Sequence, residues 1–305
     1  MSRPLAGVMA PAVTPFDADG ALARDAFAHN VRAHVDAGLA GVIVAGSSGE
    51  AALLDEGERA ALLAAARELV PGDRWLIAGV GGESTRVTIQ RTRVAADAGA
   101  DAALVVSPHY YGRRMTEAAL LAHFGAVADA SPVPVLLYNI PVYAHLVLSP
   151  AFVARMARHP NVVGMKDSAG DLPTLERYLD AQGPDFRVLT GHGGTFAQAL
   201  ASGASGGILA VSLFAPALAV GVYEAARAGD AARARALQER LVPLARDVVA
   251  ALGPAGLKAA MSMVGLRGGA PRAPLLALDD AERAAVRAAL EGAGVPVGDG
   301  ALAAA

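Results

Sequence analysis

Short apolar runs alternate with longer amphipathic stretches along most of the chain. Gly7–Val13, Gly41–Ala45, Trp75–Val80, Ala102–Val106, Val133–Tyr138, Val162–Met165, Arg187–Leu189 and Gly207–Val211 are apolar at most successive positions. A parallel strand covered by helices, and so buried on both faces, reads this way. Between them, Leu22–Asp36, Asp55–Leu69, Ser84–Ala98, Thr116–Ala130, Pro150–Arg158, Leu172–Gln182, Thr195–Ser202 and Pro216–Ala228 carry helical spacing. Asp55 with Glu58 reads as a capping box, and Ser84, Thr116 and Ser149 are good N-cap residues.

Eight strand–helix units spaced about 20 to 35 residues apart predict an α/β fold, a (β/α)₈ TIM barrel, over residues 1–228. The dinucleotide fingerprint of an open sheet is missing, because Gly79-Val80-Gly81-Gly82-Glu83-Ser84 ends in serine. Residues 229–305 predict a C-terminal helical extension packed on the barrel, with helices near Asp230–Leu252, Ala255–Val264 and Asp279–Glu291 and a small-residue tail. The apolar stretch Ile208–Tyr223 contains Pro216, which predicts a strand, a turn and a helix rather than a membrane span.

Composition narrows the classes. The 305 residues are 54% hydrophobic with a net charge of −3, which excludes disorder as the main state. Balanced charge gives no reason to expect nucleic acid or an acidic membrane as partner. There is no cysteine, which removes disulfides, thiolate metal sites and cysteine nucleophiles. The seven histidines show no HxH or HExxH spacing, so no metal site is expected. The N-terminal residues lack a signal-peptide layout, and a cytoplasmic protein is expected.

In such a barrel the chemistry sits at the C-terminal ends of the strands. Lysine is the sharpest clue there, because only Lys166 and Lys258 occur among 26 basic residues. An ε-amine can lose its proton and attack a carbonyl, whereas a guanidinium cannot. Lys166 closes an apolar run and points to a dry barrel mouth, as a Schiff-base lysine or as an ion-pair partner of Asp167. Lys258 is expected on the extension with its head in water. Tyr138 ends the preceding strand, within reach of Lys166 as a proton shuttle or simply as a cap on the core. Gly46-Ser47-Ser48-Gly49 is a turn able to hold a carboxylate. His109, Ser212 and Gly191-His192-Gly193-Gly194 also fall at expected strand ends. With Ser205-Gly206-Gly207, the last run offers a rival reading as a phosphate site.

Gly-Ser-Ser-Gly-Glu at 46–50, Ser-Pro-His-Tyr-Tyr at 107–111, Tyr-Asn-Ile-Pro at 138–141 and Gly-Met-Lys-Asp-Ser at 164–168 resemble the dihydrodipicolinate synthase / N-acetylneuraminate lyase family. The resemblance runs in order from Gly7 to about Glu291. It implies a pyruvate-dependent class I lyase with no cofactor beyond a covalent imine on Lys166. Tyr138 is implied as proton shuttle, with Ser47 and Tyr110 completing a hydroxyl relay and Tyr110 reaching into a neighbouring subunit's site. Ser48 and the backbone around Ile208 are implied to hold the pyruvyl carboxylate. A homotetramer, a dimer of dimers, is implied as well.

Within the family, synthases carry an arginine for the aldehyde substrate's carboxylate where this chain has Tyr143. Glu83-Ser84-Thr85, Tyr110–Met115, His159–Ser168 and Arg272–Leu275 look closer to 4-hydroxy-2-oxoglutarate aldolase, which nominates Ser168 as a substrate contact; Gly191 and Tyr143 are expected to bind substrate too. The expected reaction is cleavage of that 2-oxo acid to pyruvate and glyoxylate. Synthase or sugar-acid lyase activity is the near alternative, and a phosphate-binding barrel isomerase or synthase the remote one.

Overall fold

The computed structural model describes residues 3–298. The small-residue tail beyond Gly298 lies outside them. Eight parallel strands close into one barrel in sequence order: β1 (Gly7–Pro11), β2 (Gly41–Val44), β3 (Trp75–Gly79), β4 (Ala102–Val106), β5 (Val135–Asn139), β6 (Val162–Asp167), β7 (Arg187–Thr190) and β8 (Gly206–Ile208). Alternate residues of each strand face opposite sides, and both sides are apolar. Met9, Ile43, Ile77, Leu104, Leu136, Leu189 and Ile208 fill the barrel interior. Val42, Val44, Leu76, Ala78, Ala103, Val105, Leu137 and Val188 pack outward against the helices. This double burial is why the strands read as unbroken apolar runs.

The caps expected from sequence form. Asp55 and Glu58 make a reciprocal capping box, and Ser84, Thr116 and Ser149 each accept an N–H from the first helical turn. Between β5 and β6 the register slips by one residue: Val135 pairs with Val162, whereas Leu136 pairs with Gly164. Beyond this bulge Tyr138 lies opposite Lys166, and Asn139 opposite Asp167.

Two local expectations are corrected. β8 stops at Ile208 instead of continuing to Val211, because Ala210–Leu213 turns into a 3₁₀ helix. Ser212 is consequently buried in that turn, its hydroxyl donating to the Leu209 carbonyl at 2.7 Å, and it does not face the mouth. The helix expected over Asp230–Leu252 is regular only over Ala231–Pro243 and then widens into a π-helical segment, Leu244–Ala250. The next helix, Ala251–Met263, is kinked at Gly253 (φ 52°, ψ −142°). The extension ends with Asp280–Gly292, capped by Asp279 and Glu282. Its Leu241, Leu244, Val248, Leu257, Met261, Val286 and Leu290 share one core with Val8, Ala10, Val13, Leu39 and Phe214. No helix among the described residues is long and apolar enough to cross a membrane.

Candidate active site

Register places the central pair. Tyr138 and Lys166 are cross-strand partners on neighbouring parallel strands, so their side chains leave the sheet on the same side. Lys166 is 6% exposed and its Nζ donates to the Tyr138 hydroxyl at 3.2 Å, with the amine 4.4 Å from the ring centroid. The next residue points the other way: Asp167 accepts from Asn139 Nδ2 at 2.7 Å. An ion pair between Lys166 and Asp167 is therefore not formed. Burial pushes the Asp167 carboxyl up, opposed by the Asn139 hydrogen bond. Asn139 Oδ1 in turn accepts from the Leu148 amide at 3.0 Å, which ties the two strand ends to the loop after β5.

Ser47 extends the pair. Its hydroxyl lies 3.5 Å from that of Tyr138, the upper end of hydrogen-bond length. The turn Gly46–Gly49 is flanked by two left-handed non-glycine residues, Ala45 (φ 56°) and Glu50 (φ 56°). Each such backbone costs on the order of 1–3 kcal/mol and persists only where the surroundings enforce it. Thr14, past the end of β1, donates to the Gly49 carbonyl at 2.7 Å, and a β-carbon on Gly49 would lie 2.8 Å from the Ala12 carbonyl oxygen. Ser48 is half-buried on this turn, and Ile208 lies in the barrel interior at the end of β8.

Gly191 leaves room for the side chains of Ser168 and Lys166. A β-carbon there would stand 2.0 Å from Ser168 Oγ and 2.8 Å from Lys166 Cε. Ser168 and Gly191 thus border the lysine stem. Tyr143 sits on the helical turn Pro141–Ala144 and is 48% exposed. Its hydroxyl reaches toward the kink, 3.8 Å from where a β-carbon on Gly253 would be. Partial burial and the nearby Tyr138 push its phenol up, so it is neutral around pH 7.

Tyr110 stands apart from these groups within one chain. It is 77% exposed, edge-on to Tyr111, with a ring separation of 5.0 Å. Glu83 holds its loop: the carboxylate accepts the His109 and Tyr110 amides at 3.1 and 2.9 Å and pairs with His109 Nδ1 at 3.0 Å.

In the turns offered as a phosphate site, the carbonyls of Gly193 and Gly194 are bound by Gln238. Gln238 Nε2 donates to the Gly193 and Gly194 carbonyls at 2.9 and 3.1 Å, and its Oε1 accepts the Ala197 amide at 2.8 Å. His192 is held by Thr195 at 2.9 Å, and burial pushes its imidazole down. A β-carbon on Gly206 would meet the Gly7 carbonyl oxygen at 2.1 Å. These glycines serve close packing.

The placement of Lys258 in water is overturned. It is 1% exposed and ion-paired with Glu50, with Nζ donating to the Ala270 carbonyl at 2.7 Å. Burial pushes its amine down and the Glu50 carboxylate opposes that shift. Thr14, Glu50 and Glu83 lie at strand ends, where chemistry is expected, but reading along the chain gives none of them a role, and it leaves Lys258 in water. The signal was there for Lys258, as one of two lysines, and for Glu50, inside the Gly-Ser-Ser-Gly-Glu run.

A parallel barrel whose mouth holds a dry amine against a phenol defines a class I aldolase type of site. The dihydrodipicolinate synthetase family model matches residues 4–293. A 4-hydroxy-tetrahydrodipicolinate synthase of Exiguobacterium is 35% identical over 93% of this chain and 97% of its own. An uncharacterized DapA-like lyase of Halobacterium salinarum is 41% identical over 95% of each. The chloride-inhibited dihydrodipicolinate synthase of Acinetobacter baumannii, solved with pyruvate, superposes with a TM-score of 0.91 at 31% identity, covering 96% of this chain and all of that one. The chain belongs to the dihydrodipicolinate synthetase family. It is a lyase of the pyruvate-dependent class I aldolase type.

Proposed function

We propose that the enzyme cleaves 4-hydroxy-2-oxoglutarate to pyruvate and glyoxylate through an imine on Lys166. The observation that carries this reading is the buried Lys166 amine 3.2 Å from the Tyr138 hydroxyl. The neutral amine adds to the C2 carbonyl, and loss of water leaves a protonated imine. That cation accepts the electron pair of the C3–C4 bond as it breaks. Tyr138, having given its proton to the departing water, takes the C4 hydroxyl proton in its place and later returns it to the enamine carbon, with Ser47 at 3.5 Å as its relay partner. Glyoxylate leaves, the enamine gains a proton at C3, and water hydrolyses the imine to pyruvate and free Lys166. No cofactor is needed for any of these steps.

Ser48 and the backbone at Ile208 hold the pyruvyl carboxylate, while Ser168, Gly191 and Tyr143 border the distal end. Tyr143 offers that end a neutral hydroxyl, where a buried arginine would pair a second carboxylate. The exposed Tyr110, Tyr111, Val142 and Val147, on the loops after β4 and β5, support burial against a second copy. In the homotetramer this reading expects, a dimer of dimers, Tyr110 completes the partner's relay.

The relatives named as synthases favour a second reading, condensation of pyruvate with aspartate semialdehyde. One experiment addresses the chemistry and one the substrate. Pyruvate with borohydride should leave a reduced pyruvyl adduct on Lys166 by peptide mapping, and an adduct on Lys258, or none, refutes the mechanism. Cleavage of 4-hydroxy-2-oxoglutarate should exceed condensation in kcat/KM by about tenfold, or ~1.4 kcal/mol in transition-state binding. Equal rates would replace the aldolase reading with the synthase one. Mixed oligomers of Tyr110→Phe and Lys166→Ala subunits should regain activity if Tyr110 crosses the boundary, and none if it acts within its own chain.

A further inference from the structure

Behind the Ser47-Ser48 turn lies an ion-pair cluster that the chemistry above does not use. Glu50 and Lys258 have side chains 0% and 1% exposed, and they join the turn to the helix Ala251–Met263 across more than two hundred residues of sequence. The second Glu50 oxygen accepts the Arg272 amide at 2.8 Å. Phe16 lies against both cations, 4.5 Å from Lys258 Nζ and 4.0 Å from the Arg272 guanidinium carbon. Arg272 then forks onto Glu58 and donates to the Leu53 carbonyl at 2.8 Å, reaching the far end of the same loop. The segment is tight: a β-carbon on Gly268 would stand 2.0 Å from the Lys258 carbonyl oxygen.

We propose that Glu50 and Lys258 are positioning residues through which the C-terminal extension sets the orientation of Ser47 and Ser48. A buried ion pair adds little net stability, since desolvation offsets its attraction, so stability alone is a poor reason for one here. Its position is informative instead. Glu50 holds a left-handed backbone (φ 56°, ψ 38°) one residue past the turn, and left-handed non-glycine residues relax unless their surroundings over-determine them. The carboxylate is gripped by an ammonium from one side and an amide from the other, while Thr14 fixes Gly49. A compact ammonium fits between Phe16 and Ala270, where a planar guanidinium needs more room, which accounts for a lysine here in a chain whose other basic side chains, Lys166 apart, are arginine.

The inference rests on the roles given above to Ser47 and Ser48, and its test separates the two. In the Glu50→Gln, Lys258→Met double variant no buried charge is left unpaired, so it is expected to fold with a Tm close to the parent's. The pyruvate concentration for half-maximal borohydride trapping should rise at least fivefold, with Lys166 still the trapped residue. Amide hydrogen exchange of the ligand-free protein should quicken at least tenfold in a peptide spanning residues 45–54. If that variant fails to fold, Phe16→Leu, which thins the packing under both cations, should move both readouts in the same direction by a smaller factor. Exchange unchanged in residues 45–54, or half-saturation within twofold of the parent, in a folded variant overturns the proposal. Absence of any trapping in the parent defeats the Lys166 reading instead, and exchange alone then judges the clamp.

Discussion

Replacing Gly191 with alanine adds one methyl group to a barrel mouth that has no room for it. The new carbon would stand 2.0 Å from Ser168 Oγ and 2.8 Å from Lys166 Cε, and contacts under 3.0 Å force one side to move. Gly191 does not have a left-handed φ, so alanine meets no backbone penalty and the effect is steric. The Gly191 amide is tied to the Asp167 carbonyl and the strand end cannot withdraw freely, so the side chains yield. Restoring an ordinary contact of about 3.5–4 Å requires Lys166 to shift by roughly 1 Å. A displacement of that size at a reacting atom costs about a hundredfold in rate, which is ~2.7 kcal/mol of transition-state stabilisation. The assay is kcat/KM for cleavage beside the rate of imine trapping, with thermal unfolding as control. Adding Ser168→Ala removes the shorter clash and leaves the contact with the lysine stem, so it should recover only part of the loss. A Gly191→Ala enzyme within threefold of the parent in trapping rate would show that Lys166 is not held where we place it.

Three further outcomes are expected. Tyr138→Phe should retain trapping of pyruvate on Lys166 but lose about 10²–10⁴ in kcat, measured by steady-state turnover; undiminished turnover would remove Tyr138 from proton transfer. Tyr143→Arg should raise the rate with aspartate semialdehyde relative to 4-hydroxy-2-oxoglutarate by about tenfold, read from the two kcat/KM values; a constant ratio would show that this position does not face the distal carboxylate. His34 is fully buried, donates Nε2 to the Leu213 carbonyl at 3.0 Å, and has no partner for Nδ1 among the described residues. Burial holds its imidazole below the ordinary value of 6.5, as it does those of His123 and His192. The unfolded chain therefore binds more protons than the folded one as pH falls through about 6.5, and stability drops toward acid by up to ~1.4 kcal/mol per pH unit per histidine. Urea unfolding at pH 7.5 and 5.5 measures it, and a slope in His34→Gln equal to the parent's would refute the assignment.

The barrel was legible because each strand is apolar on both faces, which few folds other than a helix-covered parallel sheet require, and because Lys166 ends one such run. Tyr138 followed from being the last residue of the neighbouring run. What the chain order hid were partnerships set by closure of the barrel and docking of the extension. Gly-Leu-Lys-Ala-Ala reads as an ordinary helix with a solvated lysine, since nothing near it in sequence announces Glu50. Gln238 likewise gives no local hint that it binds the Gly193-Gly194 turn. β8 reads long because Leu209–Val211 is apolar; it is apolar to pack against the extension, whose folding back onto β1 no periodicity reveals.

The slipped register between β5 and β6 bears on how this site tolerates changes in chain length. Below the slip, strand partners differ by one residue from those above it, so Val163 is a surplus residue stored in the barrel wall. Losing it straightens β6 and leaves Tyr138 facing Lys166. Losing Met165 instead would draw Val163 into the place of Gly164, where a β-carbon would stand 2.5 Å from the Arg187 carbonyl oxygen, so the spare residue lies below that point only. The lower half of the strand thus acts as a spacer whose length can drift by one residue, while the amine and phenol at the mouth stay matched.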